Sequence, residues 1–220
     1  MRRIRLTSPE LARFVYVPGQ DVSLAFKSDA GQTVRRRYTI RRFDAERRLL
    51  EINVVMHGNG PGMRWAQSAT PGTPIEGIAP RGKITLAEDA EWHLFAGDAT
   101  AVPATFALID ALDNQTPAFA WLQVDEPGEQ QALDLNGGQR TIEWRYGGDA
   151  LTRELAAALA QAQLPAGRGH AYLAGEVALV LGLKDVLLSR RWTPEQISAK
   201  AYWNRGRPNA ERGEPEQRAS

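Results

Sequence analysis

The chain has 220 residues, 43% of them apolar, a formal net charge of +1 and no cysteine. That length and apolar fraction can bury a full core, in two small domains or one large one. Near-neutral charge argues against nucleic acid or an acidic membrane as a bulk partner, and the lack of thiols excludes disulfides, thiolate metal sites and cysteine-held iron–sulfur clusters, leaving redox chemistry to a bound cofactor. In chain order, the start Met1-Arg2-Arg3-Ile4-Arg5 lacks the apolar stretch of a signal peptide, and no apolar run reaches the roughly 18 residues of a membrane span. A cytoplasmic protein without a membrane span is expected.

Up to about Ala87 the pattern is short apolar–polar alternation. Strands are predicted at Val22 to Phe26, Thr33 to Arg42, Leu49 to Met56 and Thr73 to Ile78. They are punctuated by Pro18-Gly19, Asp29-Ala30-Gly31, Asn59-Gly60-Pro61 and Pro71-Gly72. This spacing predicts a small antiparallel barrel. Beyond Ala90 strand and helix alternate: a strand at His93 to Ala96, a helix through Ala104 to Leu112, a strand at Ala118 to Val124, helices at Leu151 to Ala160 and Val177 to Leu188 with a strand at Ala171 to Ala174 between them, and a cap at Thr193-Pro194. Alternation of this kind predicts a parallel sheet with helices on its faces. The interval Asp125 to Arg140 reads as a loop and the charged stretch from Arg207 to Ser220 as a tail. The expected division is 1–88, 89–206 and 207–220.

Three segments carry chemistry. In Arg37-Tyr38-Thr39-Ile40-Arg41 a strand places Arg37, Thr39 and Arg41 on one face and Tyr38 on the other, so its edge can offer backbone groups and a hydroxyl to a flat ring while an arginine reaches phosphate. A solvated arginine-studded strand is the plainer alternative. His57-Gly58-Asn59-Gly60-Pro61-Gly62-Met63-Arg64-Trp65 reads as a loop opening a short helix whose free amides, with Arg64, suit a diphosphate, or as a tight turn with Trp65 in the core. His57 is given a binding role. Gly97-Asp98-Ala99-Thr100-Ala101 follows a strand and opens a helix, where a parallel sheet presents its carboxyl ends to ligands. Capping by Asp98 and Thr100 is compatible with that place. Together these segments read as a flavin site. Tyr172-Leu173-Ala174-Gly175-Glu176 repeats the geometry as a second wall, where a nicotinamide nucleotide fits without the G-x-G-x-x-G fingerprint. Near the end, Lys200-Ala201-Tyr202-Trp203-Asn204-Arg205-Gly206-Arg207 sets two aromatics among cations. It reads as a cap on a flavin ring, an anion-attracting rim, or a last strand with a solvated basic end. His57, His93 and His170 are scattered, with no metal-ligand spacing.

These segments, in this order, together with Pro80-Arg81-Gly82, resemble the siderophore-interacting proteins, flavin-dependent ferric-siderophore reductases of the ferredoxin-reductase-like superfamily. The resemblance spans nearly the whole chain. It implies an antiparallel flavin-binding β-barrel followed by an α/β nucleotide-binding-like domain, FAD as cofactor, and NADH, NADPH or a reduced ferredoxin as electron donor. It also implies a ferric siderophore as substrate and Fe(II) released by flavin-mediated electron transfer with no catalytic side chain; a monomer is expected. Arg37, Tyr38, Thr39 and Ile40 would hold isoalloxazine and phosphate; His57, Gly62, Met63, Arg64 and Trp65 would line the diphosphate and adenosine side. Asp98, Thr100, Ala101 and Trp203 would face the ring, and Lys200, Arg205 and Arg207 would form a basic rim for an anionic chelate. Three departures stand out: Ala99 replaces the usual acidic residue, Gly62-Met63 replaces Ala-Ser, and the segment before Pro18 is short enough to suggest a missing or altered barrel strand. Another flavin reductase, or a non-catalytic flavin or siderophore carrier, is the alternative reading.

Overall fold

Alternation of period two builds the first half of the chain. In strand β1 (Arg2–Thr7) Ile4 and Leu6 turn inward while Arg3 and Arg5 turn out. The next strands are β2 (Asp21–Lys27), β3 (Thr33–Thr39), β4 (Arg42–Asp44) and β5 (Leu49–Val54), and β6 (Gly77–Arg81) closes the set. They form two antiparallel three-stranded sheets, in the orders β1-β5-β4 and β3-β2-β6. Val22, Leu24, Phe26, Ile40, Leu50, Ile52 and Val54 fill the space between, joined by Ala66 of helix α1 (Pro61–Ser68). The structure, a computed structural model, describes residues 1–56, 58–133, 135, 139–147 and 151–206.

Several expectations change. The segment before Pro18 is not a missing strand: it supplies β1 and a 3-10 turn at Pro9–Arg13. The strand expected from Thr33 to Arg42 divides, because the Ile40 amide donates to Gln20 O at 3.0 Å and the Arg41 amide to Glu51 O at 2.8 Å, which carries the chain from one sheet to the other. The strand expected at Thr73 to Ile78 begins at Gly77 instead. The Thr73 amide bonds Thr70 O and the Thr70 amide bonds Thr73 Oγ1, both at 3.0 Å, closing a turn, and Pro74 has no amide to give a ladder.

The second half is a parallel five-stranded sheet. Its strands are β7 (Trp92–Gly97), β8 (Ala118–Val124), β9 (Arg140–Tyr146), β10 (Gly169–Glu176) and β11 (Ile197–Trp203), in the order β11-β10-β7-β8-β9. Strand β9, to which the sequence reading gave no element, is an edge strand with alternating exposure. Helix α2 (Val102–Ala111) is apolar on nearly every side and buried along most of its length. Helices α3 (Leu151–Gln161) and α4 (Val177–Ser189) contribute Leu155, Leu159, Leu179, Val180, Leu183 and Leu187 to a core with Trp92, Leu94, Ala96, Ala171, Leu173 and Ile197 of the sheet. The other parity of the strands carries a ring cluster: Phe95 and Tyr172 stack at 4.9 Å, with His93 5.8 Å and His170 4.8 Å from the Tyr172 ring.

The chain divides into two compact units, Met1–Leu86 with Phe106–Ala111, and Ala87–Thr105 with Leu112–Ser220.

Remote arginines finish helix ends. Helices α1, α2 and α3 carry no basic residue in their own last turns. Arg2 of β1 donates to the carbonyls of Ala66, Gln67 (2.6 Å) and Ala69 (2.9 Å) at the end of α1. Arg190 donates to Leu159 O and Ala162 O (2.7 Å) at the end of α3, and Arg140 to the carbonyls of Leu112, Asp113 and Thr116 that follow α2. Orphan C-terminal carbonyls are thereby satisfied by charge-assisted donors.

Candidate functional site

In the first unit, β3 pairs only with β2 among the described residues, so one edge of Thr33–Thr39 keeps backbone groups outside the ladder. Thr39 ends that strand half-exposed. Tyr38 turns inward, edge-on to Phe26 at 6.1 Å, and burial pushes its phenol up to about 12, partly offset by the Arg36 charge. Its hydroxyl rests on Gly62, where an added Cβ would collide with it. This contact sets the edge of β3 beside the first turn of α1. The sequence reading missed Arg36, which shares the Tyr38 face; counting by two from Tyr38 finds it. Arg37, by contrast, bonds Asp21 through Nε at 2.8 Å, and Asp21 is buried, only 4% exposed. Ile40 is fully buried in the barrel core, so only its backbone can meet a ligand.

The start of α1 is open. Gly60 caps it without a side-chain bond, Pro61 occupies the first turn, and no acidic residue lies there. Space around Gly58 and Gly60 is clear, and Gly62 and Met63 bring their backbone in at the first turn. Arg64 bonds Asn59 O and pairs with the exposed Asp29 at 2.7 Å. Trp65 packs on Phe26 at 5.5 Å, and its indole nitrogen is buried with no partner. Open amides, a cation, an orphaned N–H and a free strand edge are the donor set that a flavin dinucleotide requires, so the residues present fit FAD. His57 lies outside the described residues.

In the second unit, the chain runs outward from β7 through β8 to β9 and returns to β10 on the other side of β7. The strand order therefore reverses between β7 and β10, where an α/β sheet opens a ligand crevice at its carboxyl ends. Asp98 stands there as a clamp. Its Oδ1 accepts from the Thr100 amide at 2.8 Å and the Thr100 hydroxyl at 2.5 Å, and its Oδ2 from the Glu176 amide at 2.7 Å and the Trp203 indole at 2.9 Å. Gly175 makes this approach possible: with φ of +134°, a Cβ added there would lie 2.6 Å from Asp98 Oδ2. The ladder slips a residue at Gly175/Glu176 so that Glu176 pairs with Trp203. Glu176 then caps α4, accepting from Leu179 N at 3.3 Å and from Ala178 N at 2.5 Å, while its other oxygen accepts from the Arg205 amide at 3.3 Å. Ala101 is buried behind this turn.

The structure thus brings Thr100 and Trp203 together through Asp98, to which both donate. Arg205 is exposed with its guanidinium 5.7 Å from the Trp203 ring. Lys200 departs from the expected solvated rim: it is only 9% exposed, its ammonium 5.8 Å from the Tyr202 ring. Strand parity explains this, since Lys200 pairs with Ala174 on the ring-cluster face. Arg207 lies outside the described residues. Among those residues no group of three His, Asp or Glu is placed to hold a metal ion, and no helix is long and apolar enough to cross a membrane.

Comparison with known proteins gives the kinship. Residues 25–84 match the siderophore-interacting FAD-binding domain and residues 90–206 the siderophore-interacting protein family. The ferric vibriobactin reductase ViuB of Vibrio cholerae is 34% identical over 180 residues, 79% of this chain and 66% of that protein. The NADPH-dependent ferric-chelate reductase of Escherichia coli is 27% identical over 74% of this chain and 63% of that protein. The chain thus spans somewhat less than two thirds of the length of these relatives. The crystal structure of a siderophore utilization protein from T. fusca superposes with a TM-score of 0.83 at 31% identity, covering 94% of this chain and 88% of that one. A ferredoxin-NADP+ reductase from Plasmodium falciparum, at 13% identity and a TM-score of 0.70 over 91% of this chain and 88% of that one, shares the fold. The chain belongs to the siderophore-interacting protein family.

Proposed function

We propose that the protein is an FAD-dependent ferric-siderophore reductase, drawing electrons from NADH, NADPH or a reduced ferredoxin. The observation that supports this most directly is the junction of the β3 edge with the open first turn of α1, held by the Tyr38 hydroxyl against Gly62. There the backbone of β3 and the Thr39 hydroxyl orient a flat ring, and the α1 amides with Arg64 neutralise a diphosphate. Bound FAD supplies the conversion of a two-electron donor into single electrons. With a nicotinamide donor the reaction balances as one hydride donor and two Fe(III) chelates giving oxidised nicotinamide, one proton and two Fe(II). Fe(II) binds hard oxygen donors more weakly, so the metal leaves its chelator. Asp98, Glu176 and Gly175 hold the mouth of the second unit's crevice in shape for the donor or acceptor, and Arg205 beside Trp203 offers positive charge to an anionic chelate.

An anaerobic absorbance titration tests the proposal. FAD-loaded protein is reduced with NADH, NADPH or dithionite, then mixed with a ferric siderophore in the presence of a ferrous trap. Rapid reoxidation with Fe(II) capture is expected. Reoxidation no faster than in buffer, or failure to take up FAD, rejects the reading.

A further inference from the structure

The first unit holds a second, differently built cavity. A groove of about 570 Å3 runs between the outer face of the β1-β5-β4 sheet and the Ala107, Asp110 and Ala111 side of α2, with Tyr16, Pro18 and Phe43 along it. None of its lining residues belongs to the β3 edge or to α1. That size is ordinary for a small-molecule site.

Its chemistry is that of anchored guanidinium groups. Strand register sets Arg5, Glu51 and Arg42 in one row across the three strands. Glu51, only 7% exposed, takes Arg3 Nε at 3.2 Å on one oxygen and Arg5 Nε at 3.3 Å on the other. Asp110 Oδ2 accepts from Arg41 Nη1 at 2.6 Å and Arg42 Nη2 at 3.2 Å, and Arg47 reaches Asp44 at 3.7 Å. Arg5, Arg42 and Arg47 each meet their carboxylate through one nitrogen, with side chains 62%, 65% and 80% exposed. Each therefore keeps further donors of its five-donor fork beyond the carboxylate. Four arginines and three carboxylates line the groove, and Arg3 adds another cation at Glu51. The excess is positive.

We propose that this groove binds a small polyanion, one whose charge sits on two or more carboxylate or phosphate oxygens. An isolated surface arginine gains little from an anion, because fixing a long side chain costs entropy. Here the buried Glu51 holds Arg5, Asp110 and Asp44 at the groove surface pair with Arg42 and Arg47, and several forks converge on one space. The Tyr16 and Phe43 rings, perpendicular at 6.0 Å, give the same space an apolar wall. A neutral or cationic ligand would desolvate these guanidinium groups without replacing their hydrogen bonds with water, so the site selects against both.

Isothermal titration calorimetry of the full chain, saturated with FAD and at low ionic strength, uses pyrophosphate and citrate as probes. One-to-one binding of at least one probe is expected, and which one binds identifies phosphate or carboxylate as the preferred oxygen donor. Arg42→Gln combined with Arg47→Gln should weaken that probe about tenfold or more, since both side chains lie at the surface and carry no core packing. Asp110→Asn should tighten it severalfold by removing a competing negative charge while leaving an acceptor for Arg41. No binding of either probe at millimolar concentration overturns the proposal. So does binding indifferent to the arginine substitutions, or a probe that FAD saturation displaces.

Discussion

The indole N–H of Trp203 donates to Asp98 Oδ2 at 2.9 Å, closing a contact between residues 105 positions apart in sequence. The sequence leads one to expect both residues to face a flavin, and this bond holds them together at the carboxyl ends of β7 and β11.

Asp98→Asn should therefore act first on stability. An amide keeps one acceptor oxygen, so at least one pair of donors, Thr100 N and Oγ1 or Glu176 N and Trp203 Nε1, faces an NH2 group instead. A loss of about 2–4 kcal/mol is expected in urea unfolding, against about 1–2 kcal/mol for Trp203→Phe, which removes a single bond. Equal losses in the two variants would contradict the clamp.

Cofactor affinity gives a separate handle. Arg64→Ala should weaken FAD about tenfold in a fluorescence-quenching titration, whereas Asp29→Ala, which frees Arg64 from its exposed partner, should leave affinity equal or higher. Gly62→Ala should reduce both FAD retention and stability, because its new methyl collides with the Tyr38 hydroxyl. Unchanged FAD affinity in Arg64→Ala would move the diphosphate away from α1.

Acid should destabilise the second unit in part through His93. Burial, followed by the nearby His170 charge, lowers its imidazole from 6.5 to about 4, against a smaller opposing pull from Asp113, and its Nδ1 is buried without a partner. A base with a depressed folded-state value stays neutral in the native protein while the unfolded chain takes up a proton. The stabilisation is complete above about pH 6.5 and is lost as pH falls toward about 4, by up to about 3 kcal/mol. Burial lowers His170 as well, with Asp89 opposing, so it adds in the same direction. The urea midpoint of His93→Phe should fall less steeply between pH 6.5 and 4.5; an identical slope would locate the acid sensitivity elsewhere.

Arg2→Lys tests the closure of α1. An ammonium is a single point and does not span the carbonyls of Ala66, Gln67 and Ala69, so this charge-conserving change should cost about 1–2 kcal/mol, most of the loss in Arg2→Ala. Near-wild-type stability of Arg2→Lys would reduce the contact to simple charge.

Legibility in the sequence followed locality. Strands with a clear period of two, such as β2 with its alternating Val22, Leu24 and Phe26, and the helix after Gly97-Asp98 could be read because their signals lie within a few residues. The order of the flavin-type segments was also legible. The fates of individual polar side chains were not, since Arg37 turns to Asp21 and Arg41 to Asp110, partners set by sheet pairing and by a distant helix. The reading of Lys200 as part of a basic rim does not foresee its burial, because that follows from register with Ala174, which no local pattern encodes.

The arginines that close helix ends also link parts of the chain in time. The Ala66 and Gln67 carbonyls at the end of α1 meet their cationic donor only while β1, some 65 positions earlier, is docked, so release of β1 should loosen the last turn of α1. Arg190 imposes the same coupling between α3 and the end of α4. In each unit, fraying of at least one helix end is thereby tied to a segment distant in sequence.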